Sequence, residues 1–413
     1  MPKSRLDSWK SIAEYLERSP RTVQRWHAFH GLPIHHFGGQ KGSVFAYAED
    51  IDRWLIGLAE ETRIADVDAC DASEARKTRS QELTSSAQEM WETRSEGNLS
   101  TIAGLYRNAI DLNPANGAAF TGLANSMISA ALQGVMDGSL AYPCAAEALR
   151  RAAQLESRQT VDAQCAAAWL NMVYERKWRL ARANFEDVLG SQPRNGFALA
   201  GLALLQIAEG DPSAGCKWAW EAWKQNTLVC ALGSLVCWSI YLSGDFDQAL
   251  ELVAQVRSSG ASGALLAAIE ALALIQTGEG GLDQRRIEAL AMEFPQSQIL
   301  QGTLGYAYGV WGQMDKAWAI YRNLEQMKAQ KKRNNAYGLA LVLLGLGRGQ
   351  DAVEWLEAAY AEGALWSLGF RSDPLLGTLG GDPRYEMLLR KIGATTGMLA
   401  QSIPVLEFAA AGM

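Results

Sequence analysis

The sequence predicts a mainly α-helical protein: a small helical head with a β-hairpin, followed by an all-α solenoid. Three observations predict it. Glycines recur at Gly210, Gly244, Gly278, Gly312 and Gly347, at spacings of 34, 34, 34 and 35 residues. Each ends an apolar run and opens a polar turn, the pattern of stacked helix–turn–helix units. Residues 1–58 follow a different grammar, with two helix starts and two strand-like runs outside that period. The whole chain is 48% hydrophobic, rich in Ala and Leu and short of β-branched runs, which suits helices buried on more than one face.

The head is read in chain order. Ser8 caps a helix in which Trp9, Ile12, Ala13 and Leu16 recur at helical spacing. Glu17-Arg18 turns the chain, and Ser19-Pro20 restarts it as cap plus first-turn proline. In the second helix Val23, Trp26 and Phe29 or His30 are expected to face inward. Arg21, Gln24, Arg25 and Ala28 share the opposite face, with Thr22 on its flank. Gly31-Leu32-Pro33 ends the helix. Ile34–Phe37 and Ser43–Tyr47 then read as a hairpin around a glycine-rich tip holding Lys41. A closing helix carries Ile51, Trp54, Leu55 and Leu58 on one face.

Charge gives this head a chemistry. From Arg18 to Ala48 there is no carboxylate, although the chain as a whole carries a net charge of −7. The same window holds Arg18, Arg21, Arg25, Lys41 and all four histidines. A polyanion against it meets no like charge. The stretches SIAEYLERSPRTVQRW, GLP and VFAYAEDIDRWL make residues 6–58 resemble the winged helix-turn-helix of the MerR and phage-excisionase superfamily. The resemblance implies that the second helix enters the major groove of double-stranded DNA and that the wing meets the backbone. Arg21, Thr22, Gln24 and Arg25 would then read or position DNA, and Lys41 would sit on the wing. Of the histidines, His35 or His36 is expected to face phosphate from the wing. Residues 59–80 depart from MerR regulators proper. They are charged and small, show no apolar heptad, and read as a linker.

Residues 81–395 are expected to form the repeat array and residues 396–413 a tail. The period of 34 is that of tetratricopeptide repeats. The register also runs backwards through Ala181, Phe185 and Pro193, and through Tyr106, Ala109 and Pro114. Ala152 falls nine residues late, so an insertion is expected in the inter-helix turn at Gly134–Pro143. The stretch DPLLGTLGGDPRYEMLLRKIG looks like the helical cap such arrays carry. By the same resemblance, the first helix of each unit lines a concave groove. It would bring Phe197, Trp238, Tyr241 and Tyr306 together as an aromatic lining for a protein or a small apolar effector. Glu270 is the one carboxylate or cation on the five inner helices between residues 196 and 346. A clamp for a peptide carboxylate, which needs Lys, Arg and Asn there, is therefore absent from the sequence.

Other chemistries are excluded in turn. Gly345-Leu346-Gly347-Arg348-Gly349 resembles a phosphate loop but coincides with the repeat turn. The histidines at 27, 30, 35 and 36 lack a neighbouring Cys or carboxylate, so no metal or other cofactor is expected. They are also confined to the head, leaving no Ser-His-Asp set and no enzyme. The six cysteines show no CxxC spacing and read as buried thiols of a reduced, cytoplasmic protein. No membrane span or signal peptide is expected. The repeats carry the acidic balance, with 30 basic and 39 acidic groups in residues 59–413 against 8 and 6 in residues 1–58. The expectation is a cytoplasmic, bacterial-type transcriptional regulator, paired as a homodimer, whose solenoid senses or recruits. The alternatives are a non-enzymatic repeat scaffold and an excisionase-like recombination accessory factor.

Overall fold

A computed structural model describes residues 4–36, 44–92, 96–225, 230–278, 281–329 and 335–394. They divide into two compact units, Met1–Thr78 and Arg79–Met413. The described elements are nineteen α-helices, two 3₁₀ turns and three short strands.

The first unit runs β1 (Arg5–Leu6), α1 (Trp9–Tyr15), α2 (Pro20–His30), β2 (His35–His36), β3 (Val44–Tyr47) and the greater part of α3 (Ala48–Glu92), whose last turns, from Arg79, belong to the second unit. Ser8 and Ser19 cap α1 and α2 as expected, each accepting from the backbone N–H three residues on. Glu17 takes the left-handed turn between them (φ 52°), and Arg18 N–H closes onto Ala13 O at 2.9 Å. Gly31 (φ 66°) ends α2. β3 is the middle strand, antiparallel to β2 and to β1. β1 escaped the sequence reading because two residues carry no alternation. The core holds Ile12, Val23, Leu32, Val44, Ala46 and Ile51, flanked by Trp9, Trp26 and Trp54. The hairpin tip, with Lys41, lies outside the described residues.

The closing helix does not stop at Leu58. α3 continues through the segment expected as a linker and ends at Glu92. Residues 59–80 contain no Pro or Gly and are rich in Ala, Glu and Arg, so helix propensity carries the backbone through without an apolar seam.

The second unit is an array of tetratricopeptide-like helix pairs. After α4 (Glu96–Leu112) the pairs are α5 (Gly117–Leu132) with α6 (Gly138–Leu155), α7 (Val161–Val173) with α8 (Trp178–Ser191), and α9 (Gly196–Ala208) with α10 (Pro212–Trp223). Then come α11 (Cys230–Leu242) with α12 (Phe246–Ser258), α13 (Ala264–Thr277) with α14 (Gly281–Glu293), α15 (Gln298–Val310) with α16 (Met314–Ala329), and α17 (Ala336–Gly345) with α18 (Gly349–Ala361). Two 3₁₀ turns, Leu365–Gly369 and Pro374–Leu379, lead to α19 (Pro383–Ala394).

Local chemistry explains the recurrence. The five period-setting glycines all have positive φ, from 72° to 100°, and so end the inner helix without a Cβ clash. An Asp often follows to cap the outer helix, as Asp211 and Asp245 do. One unit breaks the rule. Thirty-four residues before Gly210 stands Arg176, left-handed at φ 56°. Its guanidinium lies 3.5 Å over the Tyr360 ring and donates to Tyr360 O, a tertiary hold that offsets the backbone strain.

The extra residues near Gly134–Pro143 are placed differently from the expectation. The turn itself is residues 133–137, and Pro143 lies inside α6. α5 and α6 absorb the rest, with 16 and 18 residues against 13 and 12 in α9 and α10. Of the described thiols, Cys165 and Cys237 are buried as expected, but Cys144 is exposed because it lies on the outward side of α6. Among the described residues no helix is long and apolar enough to cross a membrane.

Candidate functional site

Two surfaces carry the residues singled out above. On α2 the inward positions are Val23, fully buried, and Trp26, whose ring packs 5.7 Å from that of Trp54. Arg21, Gln24, Arg25 and Ala28 are exposed together on the other face. Thr22 is half-buried, with its hydroxyl 2.8 Å from that of Ser19 inside the helix cap. Phe29 does not turn inward. It is 78% exposed, because the end of α2 is closed by Trp54 instead, whose indole N–H donates to His30 O at 2.8 Å. Four residues after Arg25, Phe29 thus joins the cationic face as its one large apolar group. The sequence offered a signal for this, since at 3.6 residues per turn Phe29 lies closer on the helix surface to Thr22 and Arg25 than to Val23.

Three of the histidines make side-chain contacts within the head. His27 Nδ1 lies 2.9 Å from Leu32 O, and its ring is 5.7 Å from that of His36. His35 is exposed on β2 and stacks on Phe45 at 5.1 Å, while Arg5 covers the same ring at 4.2 Å.

The second surface is the inner face of the array. Trp238 and Tyr241 are buried, and Phe197 and Tyr306 are half-buried. They do not line an open groove, because the chain's own residues 365–379 lie across these helices. Trp366 packs edge-on against Trp238, with centroids 5.1 Å apart, and stacks on Tyr337 at 5.6 Å. Phe370 stacks on the Tyr337 ring too, at 5.7 Å. Ser372 Oγ reaches Ile207 O of α9 at 3.4 Å. α19 follows and is held to α18 by Arg384, which pairs with Glu354 and Glu357 at 3.2 and 3.0 Å.

Asp373 is the polar centre of this closure. Its carboxylate accepts from Tyr241 Oη at 3.2 Å, from Tyr337 Oη, and from Leu375 N at 3.0 Å. It is 6% exposed. Burial raises its pKa above the usual carboxylate range, although the three donors oppose the shift. The same burial and the Asp373 charge push both tyrosines well above theirs. The arrangement fastens one segment to several helices, and α11 and α17 are joined through one carboxylate. Elsewhere on the inner helices, Glu270 pairs with Arg257 and Arg286 at 2.7 and 2.6 Å. Trp366 and the fastening role of Asp373 were not legible in the sequence, because both lie beyond the last glycine of the 34-residue series. The apolar stretch LWSLGFRSDPLL after the last full repeat was the available signal.

No protein-family model matches the chain, and no curated protein matches it. Solved structures do resemble it. A tetratricopeptide repeat protein from Parabacteroides merdae is 16% identical, with 65% of this chain and 99% of that one covered and a TM-score of 0.41. The Cut9–Hcn1 hetero-tetramer of the APC/C gives 13% identity, coverage of 75% and 55%, and a TM-score of 0.48. Pseudomonas aeruginosa pilF gives 13%, coverage of 55% and 97%, and 0.36.

Proposed function

We propose that this chain is a non-enzymatic helical-repeat scaffold whose head docks on double-stranded DNA, a regulator of transcription in which the array presents or recruits a protein partner. The scaffold half rests on the seven helix pairs, which offer long outer faces and an inner face fastened by the chain itself. The DNA half rests on one observation: Arg21, Gln24 and Arg25 stand exposed together on a helix whose opposite side is core. Arg and Gln in that arrangement pair with base edges in a major groove. Lys41 and His35 would add phosphate contacts, and Thr22 would position the helix start. Pairing with a second copy belongs to the same proposal, since one head this small reads only a short half-site.

A second reading keeps the scaffold and makes the head a protein-docking module. Phe29 favours it, because an exposed Phe beside arginines also suits a protein interface. One experiment separates the two. DNA sites are selected from a random pool with the full chain, and anisotropy is read at fixed salt. The Arg21→Ala, Arg25→Ala double variant is expected to lose about 2–6 kcal/mol, at roughly 1–3 kcal/mol per base contact. Equal affinity for wild type and variant removes the DNA reading and leaves the scaffold.

A further inference from the structure

The geometry points to a small-molecule site that adjoins the fastened inner face through Trp366 and is independent of the DNA reading. A cavity of about 460 Å³ lies among four segments distant in sequence: residues 131–138, 264–265, 293–299 and 362–366. The volume falls within the range of sites that hold organic ligands. One wall is the turn after α5, in the longest unit of the array. That unit breaks the repeat period, and neither surface above accounts for it.

The polar groups of this cavity are built but incomplete. Gln133 is 3% exposed. Its Nε2 donates to Ser129 Oγ at 3.0 Å, while its Oε1 has no partner. Across the cavity, Glu362 Oε1 accepts from Lys328 and Glu362 Oε2 is left over. Gln298 Nε2 is the third buried atom without a partner. A buried polar atom left unpaired is costly, so three on residues that line one cavity mark a place where a ligand completes the set. Two acceptors and one donor remain, and the ligand must therefore donate more than it accepts.

Charge and shape narrow the class further. Asp137, Glu293 and Glu362 line the cavity, and no Lys, Arg or His does. The nearby cations are paired already: Lys328 with Glu362, and Arg257 with Glu270 at 2.7 Å and with Glu293 at 3.9 Å. Tyr142, Phe294 and Trp366 supply aromatic walls. Carboxylates with aromatic faces suit a protonated amine on an apolar body. The inferred ligand is a small aryl-alkyl ammonium compound, its N–H groups shared between Gln133 Oε1 and Glu362 Oε2 and its ring face offered to Gln298 Nε2 as a weak acceptor.

Calorimetry on the full chain tests this with tryptamine and phenethylamine against their anionic counterparts, indole-3-acetate and phenylacetate. The amines are expected to bind at least about tenfold more tightly, the scale of one charge-assisted hydrogen bond. Glu362→Gln keeps the shape and should weaken the amines by about tenfold. Gln133→Leu should weaken them too while the chain still melts cooperatively. Met136→Trp, on the half-buried turn, fills the space and should abolish binding of every probe. Carboxylates binding as well as amines, amine binding indifferent to Glu362→Gln, or no binding at millimolar probe would each overturn the proposal.

Discussion

The outward face of α2 and the inner face of the array make an instructive pair. Both were legible as candidate surfaces from side-chain spacing. On α2 the spacing stayed exposed: the opposite side of an eleven-residue helix packs on Ile12, Leu32 and Ile51, and none of the described residues of its unit covers Arg21 or Arg25. In the array the same kind of reading identified Trp238 and Tyr241, which are buried under residues that follow them by more than 120 positions. Helical periodicity reports which residues share a face. It cannot report what else in the chain comes to lie on that face.

Substitutions can break this contrast. The largest effect is expected at Trp238. Its side chain is fully enclosed by Trp366, Gly369 and the inner helices, so Trp238→Ala should cost about 3–5 kcal/mol in denaturant melts. Tyr306→Ala, at a half-buried position, should cost less. Equal and small losses at both would mean an open groove, and the contrast with α2 would vanish.

An intermediate effect is expected at Asp373, and it carries a pH signature. A carboxyl whose pKa is raised by folding binds its proton more firmly in the folded chain than in the unfolded one. Its contribution is fully present below the ordinary carboxylate range and is lost as pH rises through the raised value. Stability of the wild type relative to Asp373→Asn should therefore fall as the solution is taken from acid toward neutral. A pH-independent difference between the two would mean that Asp373 is not enclosed between Tyr241 and Tyr337.

The smallest effect is expected on α2. Arg21→Ala and Arg25→Ala touch no core, so each should change stability by no more than about 0.5 kcal/mol, whatever it does to DNA. A larger loss would show that these arginines hold the head together, and the face would lose its standing as a free surface.

How far the sequence could be read follows from the range of the interactions involved. The serine caps of α1 and α2 and the recurrent glycine turns were legible because each is decided within a few residues. The span of α3 was not, since residues 59–80 carry no apolar seam to announce a helix, although Ala, Glu and Arg suffice for one. Phe29 was ambiguous because Trp54, far along the chain, competes for the same inner position. Arg176 in a glycine's place makes sense only with Tyr360, 184 residues away. The cavity at Gln133 and Glu362 was beyond reach for the same reason, although the long unit that forms one wall was noticed.

The most direct test of the central claim, that the chain fastens its own inner face, is amide hydrogen exchange on the full-length protein. Residues 365–379 should exchange as slowly as α11 and α17, since Asp373 N–H is bonded to Gly369 O at 2.7 Å and Leu375 N–H to the Asp373 side chain at 3.0 Å within the array. Rapid exchange of that segment, at the rate of an unstructured tail while α11 and α17 stay protected, would contradict the account.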